Sequence, residues 1–332
     1  MRIYFISFLL TFFCVNISAQ DIHFSQFNLS PLNLNPALTG SFDGDYRFIG
    51  NHRNQWSSVS TPYSTFALSI EKNKFIKDKL TLGIQINQDK AGDSKFSTFQ
   101  VNFSGAYKTS IIDSSNIISS GFQLGFTNRH IDFDPLSFDA QYTGYFYDAN
   151  LPNNENFSTN SNTYPNINLG FCYKKLLPNN NSIQSGFSIY NLNMSNQSFY
   201  DENIKLDPRF TFHSTFKYSF DSQIKFLPSI AYIKQGKHSE SIISLKTLYI
   251  LTDFRSIYRT IWGGVSYRNK DAIFISAGID YDALKIGVSY DVNLSKLLPA
   301  SIYRGGFEFA IIYIIKKEPI TKEVHRICPD YL

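Results

Sequence analysis

From about residue 45 to residue 316, apolar and polar residues alternate in almost every segment between turns. Leu80, Leu82, Ile84 and Ile86 interleave with Thr81, Gly83, Gln85 and Asn87; Phe99, Val101, Phe103 and Tyr107 interleave with Gln100, Asn102, Ser104 and Lys108. A side-chain period of two is the period of a β-strand. One face of these segments is aromatic-rich and the other is small, polar or charged. The pattern predicts fourteen strands near 45–56, 62–73, 78–89, 95–109, 115–129, 162–175, 182–194, 207–220, 223–235, 239–251, 254–268, 270–281, 283–291 and 303–316. An even count with alternating direction sends the short connections, such as 74–77, 110–114 and 221–222, to one rim. The three longest, 130–161, 195–206 and 292–302, go to the other. Short periplasmic turns and long outer loops are the sorting of a transmembrane β-barrel.

The first residues set the compartment. Arg2 precedes an apolar run from Ile3 to Val15, and Ile17-Ser18-Ala19 puts a small residue before Gln20. This reads as a signal peptide over 1–19. The run is short for a membrane anchor, and no internal stretch approaches the roughly 20 apolar residues of a membrane helix. A soluble β-sandwich is the plainer alternative, but the polar face is too polar to line a sandwich core. The expected fold is therefore all-β: an outer-membrane barrel of about fourteen antiparallel strands over 45–316, an N-terminal plug-like or docking segment over 20–44, and a periplasmic tail over 317–332. Both termini are expected on the periplasmic side.

Inward positions carry Gln85, Asn87, Gln100, Asn102, Gln123, Arg129, Lys285 and Glu308. A lumen of this width needs filling by side chains, water or a plug. Asp21 to Gly40 is the candidate, with Phe24, Phe27, Leu29, Leu32, Leu34 and Leu38 among Ser, Asn and Pro. It is too apolar for a free tail and too broken by Pro31 and Pro36 for one long helix. Gly40 and Gly44 suit a turn into the first strand. Tyr46, Trp56, Tyr63, Tyr107, Tyr190, Tyr218, Tyr249, Tyr258, Tyr267, Tyr281 and Tyr290 sit near strand ends, where interface anchors belong. Arg53 reads as a lumen or rim charge met by a carboxylate.

The loop 130–161 combines Phe133, Phe138, Tyr142, Tyr145, Phe146 and Tyr147 with Asp132, Asp134, Asp139 and Asp148, a pattern of an interaction surface or of a lid. The six His residues show no metal-ligand spacing, the acidic loop lacks the fixed spacing of a Ca²⁺ site, and no nucleophile constellation stands out. Neither an enzyme nor a cofactor is expected. The formal charge of +4 carries no basic block, which argues against nucleic acid. Cys172 and Cys328 remain after signal removal, either free or paired.

Particular blocks carry a resemblance. Asp21-Ile22-His23-Phe24-Ser25-Gln26-Phe27, Pro31-Leu32-Asn33-Leu34-Asn35-Pro36-Ala37-Leu38-Thr39-Gly40, Tyr46-Arg47 and Arg53-Asn54-Gln55-Trp56 resemble the PorP/SprF family of outer-membrane proteins. So do Asp291-Val292-Asn293-Leu294-Ser295, Arg304-Gly305-Gly306-Phe307-Glu308 and Cys328-Pro329, although Asp330 stands where members often carry a basic residue. The resemblance implies a Bacteroidetes protein of type IX secretion and gliding motility. It implies an accessory barrel that holds or hands on the C-terminal domain of a large secreted surface adhesin, alongside periplasmic ring lipoproteins. His23, Phe24, Ser25, Gln26, Phe27, Pro31, Asn35, Pro36 and Gly40 would then form the plug or partner-binding segment. Arg53, Asn54, Gln55 and Trp56 would mark the rim, Phe138, Tyr142, Tyr145 and Tyr147 an outer surface, and Cys328 and Pro329 the tail. The competing expectation is an outer-membrane channel or hydrophobic-solute transporter.

Overall fold

The computed structural model describes residues 21–55, 61–76, 79–92, 94–111, 113–133, 136–152, 159–199, 202–254, 257–294 and 304–316. The expected signal peptide, over residues 1–19, and Trp56, Asp134, Cys328 and Pro329 lie outside them. Fourteen strands form one closed antiparallel barrel in sequence order, with the first paired to the last. They are β1 Tyr46–Gln55, β2 Tyr63–Ile76, β3 Leu80–Ala91, β4 Phe96–Ser110 and β5 Asn116–His130. Then come β6 Ser161–Leu177, β7 Asn181–Tyr190, β8 Arg209–Ser219, β9 Ile224–Gln235 and β10 His238–Phe254. Last are β11 Ile257–Arg268, β12 Ala272–Tyr281, β13 Leu284–Asn293 and β14 Arg304–Ile315.

The number and order of strands follow the alternation, and the deviations have local causes. β7 stops at Tyr190, short of 194, because Asn191 and Met194 adopt positive φ. β2 runs on to Ile76 through a register shift beside Lys74, whose φ is also positive. Such an irregularity lengthens one strand relative to its partner. The three longest connections share one rim, as the sorting requires. Asp282, in the left-handed region, makes the tight turn between β12 and β13 at the other.

The outward face is a band of apolar residues that include Phe66, Leu82, Phe103, Leu124, Phe171, Phe212, Ile243, Val265 and Tyr313, all exposed. The inward face buries Asn87, Gln123, Asn166, Asn168, Arg53, Glu71 and Glu308. This inverts a soluble protein and matches a wall with lipid outside and polar groups inside. Tyr190, expected at the interface, instead points inward, 5% exposed, and its hydroxyl donates to Leu32 O at 2.8 Å. Phe103 lies midway along β4 with its ring outside, 53% exposed. Phe103→Arg should therefore lower the free energy of folding into lipid vesicles by ~2–4 kcal/mol, the cost of a cation near the bilayer midplane. Equilibrium refolding into vesicles measures it, with Gln100→Arg, on the inward face, as the comparison.

Candidate functional site: the segment inside the barrel

Residues 21–40 pack against inward-facing side chains. Pro31 and Pro36 each begin a short helical turn, at Pro31–Leu34 and Pro36–Leu38, where a missing N–H costs nothing. Asn35 caps the second turn by accepting from Ala37 N at 2.9 Å. Phe27, Leu34, Ala37 and Leu38 join Cys172, Ala231, Ile242 and Phe274 of the wall in one apolar cluster. Three polar sets fix the segment to the wall.

The first lies toward the long-loop rim. Glu308 of β14 accepts from Ser25 N at 2.7 Å and Gln26 N at 2.9 Å. Asp291 of β13 accepts from the Ser25 hydroxyl at 2.9 Å, from Arg268 at 2.8 Å and from Arg53 at 3.3 Å. Arg53 also donates to His23 O at 2.8 Å and lies 3.9 Å from Glu308. The expected carboxylate partner of Arg53 is thus a pair of carboxylates. Asn54 and Gln55 are half-buried at the end of β1 and take no part. His23 lies 3.7 Å from Glu240. Burial holds its imidazole below its ordinary range, with Glu240 opposing and Arg53 and Arg268 assisting.

The second set is at mid-wall. Asn35 Nδ2 donates to Phe171 O at 3.0 Å and approaches Phe187 O and His213 Nε2 at 3.3 and 3.1 Å. Gly121, Gly170 and Gly186, on β5, β6 and β7, make the room. A Cβ at Gly121 would overlap the Pro36–Ala37 backbone, one at Gly170 the Asn35 amide, and one at Gly186 both His213 and Asn35. The third set is at the opposite rim. Arg47 donates to both oxygens of Glu71, at 2.8 and 2.7 Å, Gly40 N donates to Glu71 at 2.8 Å, and Lys108 donates to Gly40 O. Such bidentate Arg–carboxylate pairs are strong and directional. Gly40, with φ of 65°, and Gly44, with φ of 158°, turn the chain into β1.

Asp21 bonds Gln235 and Asn191 at the long-loop rim, whereas Lys316 pairs with Asp43 at the short-turn rim. The two ends of the described chain therefore lie at opposite rims, not together, because residues 21–40 span the barrel lengthwise. Sequence reasoning also missed Glu71, Arg268, Arg209 and the three glycines as partners of the segment. Arg209 donates to Ile22 O and Asn33 O at 2.9 and 3.1 Å and stacks over Tyr190. Each falls at an inward position of its strand, and that parity was the available signal.

On the long-loop rim, Tyr142 and Tyr147 pair across a small hairpin with ring centroids 5.5 Å apart. Tyr145 at its tip is 97% exposed, and Phe138 is half-buried. No group of three acidic, His or Cys side chains suited to a metal occurs among the described residues. Cys172 is buried, has no disulfide partner among the described residues, and lies 3.4 Å from Gln184 Nε2.

A closed fourteen-stranded wall, apolar outside and polar inside, with its own N-terminal segment bound within, defines an outer-membrane β-barrel protein. Solved barrels share the fold: the Pseudomonas putida toluene transporter TodX (TM-score 0.51, 10% identity, 89% of this chain and 95% of that one) and the CymD monoaromatic hydrocarbon channel (TM-score 0.50, 10% identity, 89% and 94%). No curated protein matches. Residues 16–313 match the model of the type IX secretion system membrane protein PorP/SprF family, and the chain belongs to that family. Its role accordingly lies in type IX secretion at the outer membrane.

Proposed function

We propose that this protein is a non-catalytic accessory barrel that holds or hands on the C-terminal domain of a large secreted surface protein, and that residues 21–40 act as its plug. Periplasmic ring lipoproteins are the second class of partner. The observation that carries this reading is the anchoring of residues 21–40 at three levels of the lumen. A lumen built around its own chain serves holding better than conduction. The exposed Tyr142–Tyr147 hairpin offers an aromatic surface of the kind enriched at protein interfaces.

The second reading is a channel for apolar solutes, favoured by fold likeness to a toluene transporter and a monoaromatic hydrocarbon channel. Against it, Arg53, Asn87, Gln123 and Glu308 line the interior, so an apolar molecule finds a polar path. The test is a mild-detergent pull-down of the tagged mature barrel and of a variant lacking residues 21–40, followed by mass spectrometry. The expected result is one large secreted protein, or ring components, with the full barrel and none with the truncated, membrane-inserted one. A full barrel that comes down alone and conducts steadily in planar bilayers would replace the scaffold with the channel.

A further inference from the structure

The lumen is electrically polarised along its axis. Toward the short-turn rim, Lys108 of β4, Lys174 of β6, Lys217 of β8, Lys225 of β9, Lys246 of β10 and Lys285 of β13 all occupy inward positions. The register fixes this: Lys174 stands opposite Gln184, Lys217 opposite Ser182, and Lys246 opposite Gly264, within the inward rows of neighbouring strands. Lys285 pairs with Asp280 at 3.2 Å. Lys108 meets a carbonyl, Lys217 meets Asn180 at 2.9 Å, and Lys246 lies 3.3 Å over the Trp262 ring. Lys174 and Lys225 make no hydrogen bond or ion pair among the described residues, and both lie within electrostatic reach of Lys217.

The carboxylates nearby are already engaged. Glu71 is neutralised by Arg47, and Asp113 and Asp221 cap their own turns. The opposite half of the lumen holds Glu240, Asp291 and Glu308 against its arginines. Like charges gathered in a cleft with low-dielectric walls focus an attractive field for anions. The last helical turn of the segment packs on β4 to β7 and its exit at Gly40 passes Glu71 and Thr81, so this end of it lies away from the lysines of β8, β9, β10 and β13. On β11, in the row that Asp280 and Lys285 share, the buried hydroxyl of Thr260 has no hydrogen-bond partner among the described residues.

We propose that this lysine-lined mouth receives an extended, acidic polypeptide segment entering from the short-turn rim. Lysines on the neighbouring strands β8, β9 and β10 answer its carboxylates, and the Thr260 hydroxyl answers its main chain.

The test uses the mature barrel in mild detergent and a fluorescent peptide of alternating Glu and Ser, followed by anisotropy. The comparisons are a Gln/Ser peptide of equal length and an acidic polysaccharide. The Glu/Ser peptide should bind and the Gln/Ser peptide should not. Binding should weaken at least ~10-fold in K217Q/K225Q/K246Q and again between low and ~0.3 M salt. K270Q, at the opposite rim, should leave it unchanged. If the triple variant fails to fold, K174Q/K225Q carries the same expectation with a smaller loss. Equal binding of both peptides, no binding, an affinity unmoved by the lysine substitutions, or preference for the polysaccharide would overturn the proposal. None of these depends on which secreted protein the barrel serves, so failure here leaves the scaffold reading standing.

Discussion

Gly121→Val is expected to expel residues 21–40 from the barrel while the wall still closes. The side chain would project inward from β5 into the space held by the Pro36–Ala37 peptide. That is backbone pinned from both sides, because Asn35 is tied to β6 and β7 and Gly40 to Glu71. A flexible neighbour would swing aside; a pinned backbone must leave or strain, and overpacking of this kind costs several kcal/mol. The wall itself tolerates valine, which has high β-propensity. Reactivity of Ala37→Cys toward a water-soluble maleimide reports the position of the segment. It should be protected in the parent barrel, where Ala37 is 0% exposed, and labelled at least ~10-fold faster with valine at 121, by the opening equilibrium that ~1.4 kcal/mol shifts tenfold. Heat-modifiable mobility on SDS gels should show the wall intact. Unchanged protection would mean that the glycine groove does not hold the segment.

Glu308→Ala should be the most destabilising single change in the interior, by ~3–5 kcal/mol, the usual result of removing one member of a buried charge cluster. It orphans the Ser25 and Gln26 amides and leaves Arg53 and Arg268 to share Asp291. Glu308→Gln keeps an acceptor for one amide and should lose less. Denaturant unfolding in detergent, followed by loss of heat-modifiable mobility, ranks the three proteins. A loss below ~1 kcal/mol for the alanine variant would show that water replaces the carboxylate and that the cluster is not closed to solvent.

The wall was legible because lipid and lumen impose opposite requirements on alternate residues, so parity alone assigns a face to Gln85, Asn102 or Phe103. The interior was legible only in outline. The apolar content of 21–40 announced burial, and the cap of Asn35 on the turn after Pro36 is local enough to read. The partners of the segment are not local: Arg47 meets Glu71, Ser25 meets Glu308, and Asn35 meets His213, across separations set by the register of a closed cylinder. Tyr190 shows the same limit. Position near a strand end suggested an interface, but a long side chain on the inward face reaches the carbonyl of Leu32 instead. Length and direction of the segment were equally hidden.

The pairing of β1 with β14 is where the two ends of the wall meet. Residues 23–29 bond to both sides of that join: Arg53 and Asn51 on β1 hold the carbonyls of His23 and Leu29, while Glu308 on β14 holds two successive amides. The segment is thus a clasp fastened from within. Opening of the wall at this join would require the clasp to be undone first. For the same reason, the closed hoop is at its most stable only with the segment seated.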